Sequence, residues 1–167
     1  MARDAEKYFE LILNIYSDLE RFSLFLTKSR PLAKELLSEA ISRGYTGFQR
    51  LKSEQAFLSF MFTIINRTYN EFKSRNKRYN YNEKIEIDDL YSKELSPETL
   101  TDIKILYEAM DRLKASEREL LIMSELMELP YNEIANILHI SVGNVKIKVF
   151  RAKNKLKKLL QDEPVEV

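Results

Sequence analysis

The stretch from Pro130 to Lys158 contains the side chains whose types and spacing carry the clearest chemistry. A short helical pattern precedes the three residues His139-Ile140-Ser141, and a longer, lysine-rich helical pattern follows them. This order is typical of a helix-turn-helix, whose second helix places its first residues against base edges in the major groove of DNA. Residues 142–160 carry seven basic and no acidic side chains, as expected opposite a polyanion. The stretch predicts a DNA-binding element, with a solvated helix face as the alternative.

The turn makes specific steric demands on its residues. Ala135 is small enough for the two helices to cross closely, and Ile140 is placed to fill the corner between them. The Ser141 hydroxyl is suited to accept a hydrogen bond from a free N–H group at the start of the second helix. These three residues strengthen the prediction of a helix-turn-helix.

The long helix after the turn has an apolar face and a polar face. Its apolar residues recur every three or four positions: Val142, Val145, Val149, Ala152, Leu156 and Leu159. The opposite face carries Gly143, Asn144, Lys146, Ile147, Phe150, Arg151 and Asn154. Asn144 suits an adenine edge and Ile147 a thymine methyl group, while Lys146 suits a phosphate or a guanine, as does Arg151. With Ser141, Gly143 and Lys148, these form the candidate recognition set; an ordinary amphipathic helix is the alternative.

Helical periodicity extends along most of the rest of the chain. Apolar residues spaced by three and four predict helices over residues 8–26, 31–44, 54–78, 102–113, 116–127, 132–138 and 141–160. Ser116 followed by Glu119 predicts a capping box at the start of the fifth helix. Residues 45–53 lack a sustained period and predict a loop. The acidic residues 79–101, which include Ser96-Pro97, predict a linker.

The composition narrows the fold class and the compartment. Of 167 residues 44% are apolar and 32% charged, which is too apolar for a disordered chain and too charged for a membrane protein. No apolar run is long enough to span a bilayer or to form a signal peptide. The absence of cysteine excludes disulfides, and three glycines and four prolines disfavour an all-β fold. We therefore expect a cytoplasmic, all-α protein without membrane insertion.

The sequence offers few combinations of residues that could catalyse a reaction. The single histidine, His139, lies in the turn, so no serine or cysteine nucleophile has a histidine base. There is no glycine-rich phosphate loop and no histidine and cysteine set for a transition metal. We expect no enzymatic activity, no metal and no cofactor.

Several of these runs carry a family resemblance. Residues 131–135 (YNEIA), 138–146 (LHISVGNVK) and 151–153 (RAK) resemble the region 4 signature of bacterial sigma-70-family sigma factors. Residues 33–41 (AKELLSEAI) and 57–67 (FLSFMFTIINR) are similar to region 2. The two regions account for nearly all residues between about 8 and 160, so the resemblance is to the minimal, extracytoplasmic-function type.

This resemblance implies a fold and a function. It implies two small helical domains: a three-helix region 2-like bundle at 1–78 and a four-helix region 4-like helix-turn-helix domain at 102–161. An acidic linker at 79–101 joins them, and a tail follows at 162–167. The implied function is a sigma factor that binds core RNA polymerase and directs promoter recognition and opening in transcription initiation. The implied partners are core polymerase, promoter DNA and an anti-sigma factor.

The resemblance also implies contact residues. For the polymerase β′ coiled coil they are Glu35, Leu36, Ser38 and Glu39. For a base flipped out of the minus-ten element they are Tyr45, Phe48 and Gln49, since a flipped base needs stacking and hydrogen bonds. On the promoter face of the third helix they are Asn66, Arg67, Asn70, Lys73, Arg75 and Arg78. The recognition set reads the minus-thirty-five element, and Leu126 or Met127 meets the polymerase β flap.

The sequence departs from the family pattern at some positions. His139 replaces a glycine at a turn position that often needs a positive φ, which histidine tolerates better than most residues. Phe60 replaces a tryptophan, and Asn66-Arg67 reverses an Arg-Asn pair. Because of these changes, the resemblance does not predict which promoter sequence this chain prefers.

Two other functions stay open at the level of sequence. One is a stand-alone helix-turn-helix regulator that binds paired half-sites as a dimer, with residues 1–78 as a dimerising or sensing domain. The other is a sigma mimic that only titrates an anti-sigma protein, which would not need seven cations on its last helix.

Overall fold

The computed structural model describes residues 2–75 and 95–162. Within these residues the regular structure is helical, and no strand is present. The chain divides into two compact units. The first contains the helices before residue 76, with Asn136–Leu138 grouped with them, and the second contains the rest of the helical residues after residue 94. Arg78, most of the predicted linker and most of the predicted tail lie outside the described residues. The all-α prediction is confirmed for the described chain.

Three helices form the first unit. They are α1 (Ala2–Thr27), α2 (Arg30–Phe48) and α3 (Phe57–Arg75), with a 3₁₀ turn at Glu54–Ala56 before α3. The Ser29 hydroxyl accepts a hydrogen bond from Leu32 N at 3.3 Å, and Pro31 occupies the first turn of α2, where its missing N–H costs nothing. The Ser53 hydroxyl caps the turn before α3 in the same way.

The core of the first unit lies where the three helices face one another. α2 packs against both α1 and α3. The rings of Phe22 and Phe62 meet edge to face with centroids 4.5 Å apart, a preferred arrangement for aromatic pairs. Fully buried side chains include Tyr8, Leu19, Phe22, Leu36, Met61, Phe62 and Ile65.

Helix α2 runs past the glycine at which the sequence predicts its end. The predicted loop at 45–53 is wrong in its first half, because α2 continues through Gly44 and Gly47 to Phe48. Gly44 is buried, and a Cβ atom there would lie 2.5 Å from the Tyr8 hydroxyl and 2.8 Å from Met61 Sδ. This glycine therefore permits close packing inside the helix and does not terminate it.

The second unit contains the helix-turn-helix. Its helices are α4 (Pro97–Asp111), α5 (Ala115–Leu121), a π-helical turn (Ile122–Leu126), α6 (Tyr131–Leu138) and α7 (Val142–Asp162). α4 begins inside the predicted linker because Ser96 caps it, accepting from Thr99 N at 3.2 Å. The core includes Leu120, Ile122, Met123, Ile134, Val145, Val149 and Ala152.

The predicted capping box at Ser116 and Glu119 is wrong. Glu119 is buried, and α5 begins two residues earlier than that box requires. The Glu117 carboxylate accepts a hydrogen bond from Lys114 N at 3.2 Å, so Glu117 satisfies a free N–H group at the helix start.

Candidate nucleic-acid interfaces

The turn between α6 and α7 has the backbone geometry of a tight corner. His139 adopts φ 56° and ψ 45°, and its N–H donates to the Ala135 carbonyl. Ile140 N also donates to Ala135 O, at 3.1 Å. Ala135 is buried and Ile140 is half-buried. The predicted positive φ at the histidine is confirmed, and the corner fixes how α7 leaves α6.

Ser141 caps α7 as the sequence predicts. Its hydroxyl accepts a hydrogen bond from Asn144 N at 3.1 Å, while its carbonyl accepts from Val145 N at 3.0 Å. A Cβ atom on Gly143 would have only the Ser141 hydroxyl nearby, at 3.9 Å. Packing within this chain therefore does not require glycine at position 143.

The two faces of α7 are those predicted, with one exception. Val145, Val149 and Ala152 are buried, whereas Val142 is 39% exposed, so its predicted inward position is wrong. Val142 is the first residue of the helix and precedes the buried stripe. All seven residues of the recognition set are exposed: Ser141, Gly143, Asn144, Lys146, Ile147, Lys148 and Arg151.

Two large apolar side chains interrupt the polar face of α7. Ile147 is 50% exposed and Phe150 is 68% exposed, and a spacing of three places them on one side of the helix. Apolar side chains among cations are suited to contact thymine methyl groups while the cations contact phosphates. The exposed face can therefore offer apolar, amide and cationic contacts together.

The cations of α7 fall into two groups. Lys153 Nζ lies 2.8 Å from Glu125 Oε1, and Lys155 Nζ lies 2.9 Å from Glu117 Oε1. The hydrogen bond from Lys155 lowers the pKa of Glu117, and the hydrogen bond to Glu125 raises the pKa of Lys153. In the part of the chain that the structure describes, the cations of the recognition set have no ion pair.

An aromatic cluster surrounds Tyr8 at the end of α2. The Tyr8 hydroxyl donates to Ile41 O at 2.5 Å, and burial raises the pKa of this phenol. The Phe48 ring packs 5.3 Å from Tyr8 and 5.9 Å from Phe57, so Phe48 is an anchor of this cluster. Of the residues predicted to capture a base, Tyr45 and Gln49 are exposed and Phe48 is half-buried.

Phe9 stands beside Tyr45 and was missed by the sequence analysis. Its ring is 52% exposed and nearly parallel to that of Tyr45, with an interplanar angle of 12° and centroids 6.5 Å apart. Leu13 and Tyr16 continue this exposed apolar line along α1. The signal was available, since these three residues share a helical spacing of four and three but lie off the predicted inward stripe.

The candidate promoter residues of α3 differ in their surroundings. Arg67, Asn70 and Arg75 are exposed, and Lys73 Nζ lies 4.5 Å from the centre of the Tyr69 ring. Asn66 is half-buried, and its Oδ1 atom is buried without a described hydrogen-bond partner. The described residues of this set therefore lie in the carboxyl-terminal half of α3, and Asn66 is turned partly inward.

The predicted polymerase surface on α2 needs one correction. Glu35, Ser38 and Glu39 are exposed, but Leu36 is completely buried because α2 packs against helices on two sides. A side chain with no exposed area does not contact a partner, so the prediction that Leu36 belongs to this surface is wrong. An exposed face of carboxylates and one hydroxyl remains.

Arg43 links two of the elements that carry these candidates. Its Nε lies 2.9 Å from Glu39 Oε1 on α2, and its Nη1 lies 2.6 Å from Glu71 Oε2 on α3. These hydrogen bonds raise the pKa of Arg43 and lower that of Glu71. The sequence analysis missed this residue, although the spacing of four between Glu39 and Arg43 was visible.

An apolar cavity of about 280 Å³ lies in the second unit. Its lining includes Leu106, Met110, Leu121, Leu126, Leu156 and Leu160. Leu126, one of the two residues predicted to meet the β flap, opens onto this cavity, while Met127 is half-buried. Among the described residues, none of the helices is long and apolar enough to span a bilayer, and no group of three histidine, cysteine or carboxylate side chains is arranged to hold a metal.

Comparisons with known proteins agree with this geometry. The family model "Sigma-70, region 4" matches residues 103–156. The ECF RNA polymerase sigma factor SigM of Bacillus subtilis is 28% identical over 156 residues, which cover 92% of this chain and 93% of SigM. The ECF sigma factor EcfG of Rhodopseudomonas palustris is 25% identical over 93% of this chain and 86% of its own length.

Solved structures share the fold. The sigma factor RpoE of Bartonella quintana, solved in complex with the anti-sigma factor NepR, gives a TM-score of 0.69 at 19% identity, over 95% of this chain and 99% of that chain. CnrH, solved with the cytosolic domain of CnrY, gives a TM-score of 0.71 at 14% identity, over 96% of this chain and 91% of that chain. The turn geometry and the exposed basic helix define a helix-turn-helix protein. Residues 103–156 match the sigma-70 region 4 family, and over nearly its whole length the chain is similar to RNA polymerase sigma factors of the extracytoplasmic-function (ECF) type.

Proposed function

We propose that this chain is a sigma factor that binds core RNA polymerase and directs promoter recognition and opening in transcription initiation. The observation that carries the proposal is the exposed recognition set on α7, held behind a well-formed turn. The match to SigM over nearly the whole of both chains disfavours a regulator that shares only the helix-turn-helix. The chain would supply recognition, and the polymerase would supply the chemistry.

In this proposal α7 reads the upstream promoter element from the major groove. Asn144 and Ile147 contact base edges, and the recognition-set cations Lys146, Lys148 and Arg151 contact phosphates or guanine. All five side chains are exposed on α7. Contacts to phosphates fix the register of a helix in the groove, and contacts to bases give sequence preference.

The first unit acts on the opened strand in this proposal. Tyr45 offers an exposed ring and Gln49 an exposed amide for a base that leaves the stack. Phe48 anchors the end of α2 by packing against Tyr8. Arg67, Asn70, Lys73 and Arg75 line the neighbouring helix as contacts for the backbone of the strand. Unstacking a base costs a few kcal/mol, so a stacking platform with cations beside it is the chemistry that opening requires.

The protein partners follow from the same assignment. We place the β′ contact on Glu35, Ser38 and Glu39 without Leu36, and the β-flap contact at the cavity that Leu126 lines. Because RpoE was solved in complex with the anti-sigma factor NepR, and CnrH in complex with the cytosolic domain of CnrY, we propose an anti-sigma factor as a further partner. We retain the predicted domain limits 1–78 and 102–161 and a cytoplasmic site of action as part of the proposal.

In vitro transcription tests the proposal directly. Core polymerase with this chain, on fragmented genomic DNA, is expected to produce transcripts with defined start sites that core polymerase alone does not produce. Lys146→Ala should reduce these transcripts while leaving association with core polymerase intact. Absence of any start site dependent on this chain would contradict the proposal, and a stable dimer that binds a palindrome without polymerase would favour the stand-alone regulator.

A further inference from the structure

Two lysines of the recognition helix are bound to carboxylates of their own unit. Lys153 pairs with Glu125 in the π-helical turn, and Lys155 pairs with Glu117 at the start of α5, at 2.8 and 2.9 Å. Glu117 and Glu125 lie near the two ends of one continuous segment, α5 and its π-helical extension. The two pairs therefore join α7 to two separate points of that segment.

The pairs lie on opposite edges of the buried face of α7. At about 100° per residue, Lys153 and Lys155 fall about 80° to either side of Val145. The buried stripe consists of small side chains, Val145, Val149 and Ala152. Such a stripe resists separation of the helices more strongly than it resists a rotation of α7 about its own axis. An ion pair on each edge opposes that rotation in both directions.

We propose that the Lys153–Glu125 and Lys155–Glu117 pairs act as two struts that fix the rotation of α7, so that these lysines are positioning residues and not phosphate contacts. The inference rests on the proposed function, because it concerns how the recognition set meets DNA. It assigns roles to five of the seven cations of the helix: the two in struts orient the helix, and the three of the recognition set contact the duplex.

Rotation of α7 affects base contacts more than phosphate contacts. A hydrogen bond between Asn144 and a base edge needs a defined direction, and so does the contact of Ile147 with a methyl group. Long lysine side chains reach phosphates from a range of helix orientations, since the ammonium group acts as a point charge. Loss of the struts should therefore lower sequence discrimination and leave the electrostatic part of binding unchanged.

The test uses holoenzyme assembled from core polymerase and the full chain. The probes are a promoter fragment mapped by in vitro transcription and the same fragment with its upstream element scrambled, each titrated over a range of salt concentrations. The double variant K153A/K155A is expected to lower the ratio of the two affinities about fivefold, since an exposed ion pair is worth up to about 1 kcal/mol and 1.4 kcal/mol is tenfold. The slope of log affinity against log salt should stay that of the wild type.

Matched variants separate the explanations. Lys146→Ala, a recognition-set cation, should lower the salt slope by about 0.9, the value for one lost phosphate contact. The charge reversal E125K/K153E should recover part of the lost ratio, because it rebuilds a strut. Glu117 is left unchanged throughout, since it also caps α5.

Each outcome has a defined meaning. A lower salt slope in K153A/K155A would show that these lysines contact phosphates, and an unchanged affinity ratio would show that the pairs do not orient the helix; either result overturns the strut proposal alone. A wild-type holoenzyme that does not distinguish the promoter from the scrambled fragment would instead contradict the proposed function, and with it the struts.

Discussion

Gly44 is where the first unit is most sensitive to one added carbon. A Cβ atom there would meet the Tyr8 hydroxyl at 2.5 Å and Met61 Sδ at 2.8 Å, closer than van der Waals contact allows. At an exposed position inside a helix, Gly→Ala raises the free energy of unfolding by about 1 kcal/mol. Here overpacking costs about 1–3 kcal/mol, and moving the Tyr8 hydroxyl leaves a buried polar group unsatisfied at a further 1–3 kcal/mol or so. We expect Gly44→Ala to lower the free energy of unfolding by about 1–5 kcal/mol after the helical gain is subtracted.

Thermal unfolding followed by far-ultraviolet circular dichroism measures this effect. For a unit of this size, each kcal/mol shifts Tm by about 4–8 °C, so a fall of at least about 4 °C is expected. Gly143→Ala is the matched control: its Cβ would meet only the Ser141 hydroxyl, at an ordinary contact distance of 3.9 Å, so this substitution should not lower Tm. Tyr8→Phe removes the atom that the new methyl group meets first.

The pair of substitutions tests the reasoning most strictly. Because Tyr8→Phe relieves part of the clash, G44A/Y8F should lose less stability than the sum of the single variants, by about 0.5 kcal/mol or more. Met61 can adjust to the remaining contact because its side chain is flexible. A Gly44→Ala protein that is more stable than the wild type, or strictly additive effects, would show that the steric explanation is incorrect.

Three further outcomes are expected from residues on the candidate surfaces. Lys146→Ala should weaken promoter binding without changing Tm, as measured by fluorescence anisotropy and circular dichroism, because the side chain is exposed. Leu36→Ala should cost about 2–5 kcal/mol of stability in urea unfolding, because this side chain is completely buried. Glu71→Gln should lower Tm at neutral pH and make no difference at acidic pH: Arg43 lowers the pKa of Glu71, so the contribution of this carboxylate is present above its unfolded pKa and is lost as the pH falls through the folded one.

Each of these outcomes has a result that would oppose it. A lower Tm in Lys146→Ala would place that side chain in the packing of the unit. Normal stability with selective loss of polymerase binding in Leu36→Ala would return Leu36 to the interaction surface. A Tm difference for Glu71→Gln that persists at acidic pH would mean that the effect does not come from the charge.

The sequence predicts what depends on local periodicity and turn chemistry. Spacings of three and four predicted the helices, and Ser141 predicted a cap that the structure shows at 3.1 Å. The positive φ of His139 was expected from the resemblance, because this residue stands where the family pattern has a glycine. Such features depend on residues near one another in the chain, so one stretch of sequence contains their causes.

The features that failed or were missed depend on residues far apart in the chain. A glycine at the end of an amphipathic pattern usually predicts the end of a helix, as it did for Gly44. Inside α2, however, Gly44 allows close packing against Tyr8, which lies 36 positions earlier in the chain. Leu36 is adjacent to another leucine, and only the presence of helices on two sides of α2 shows that both are buried. Arg43 and Glu71 are 28 residues apart, and Lys155 and Glu117 are 38 apart. No periodicity relates such pairs.

The distribution of long-range ion pairs indicates how the two candidate DNA surfaces are built. Arg43 joins α2 to α3, so the helix end that carries Tyr45 and Gln49 is tied to the helix that carries the proposed contacts to the DNA backbone. In the second unit, Lys153 and Lys155 tie α7 to the segment before the turn. Exposed pairs of this kind add little to stability. Their position at the edges of helices that present exposed polar side chains is better explained if the ion pairs orient those helices. A helix can be stably packed and still present the wrong face to DNA.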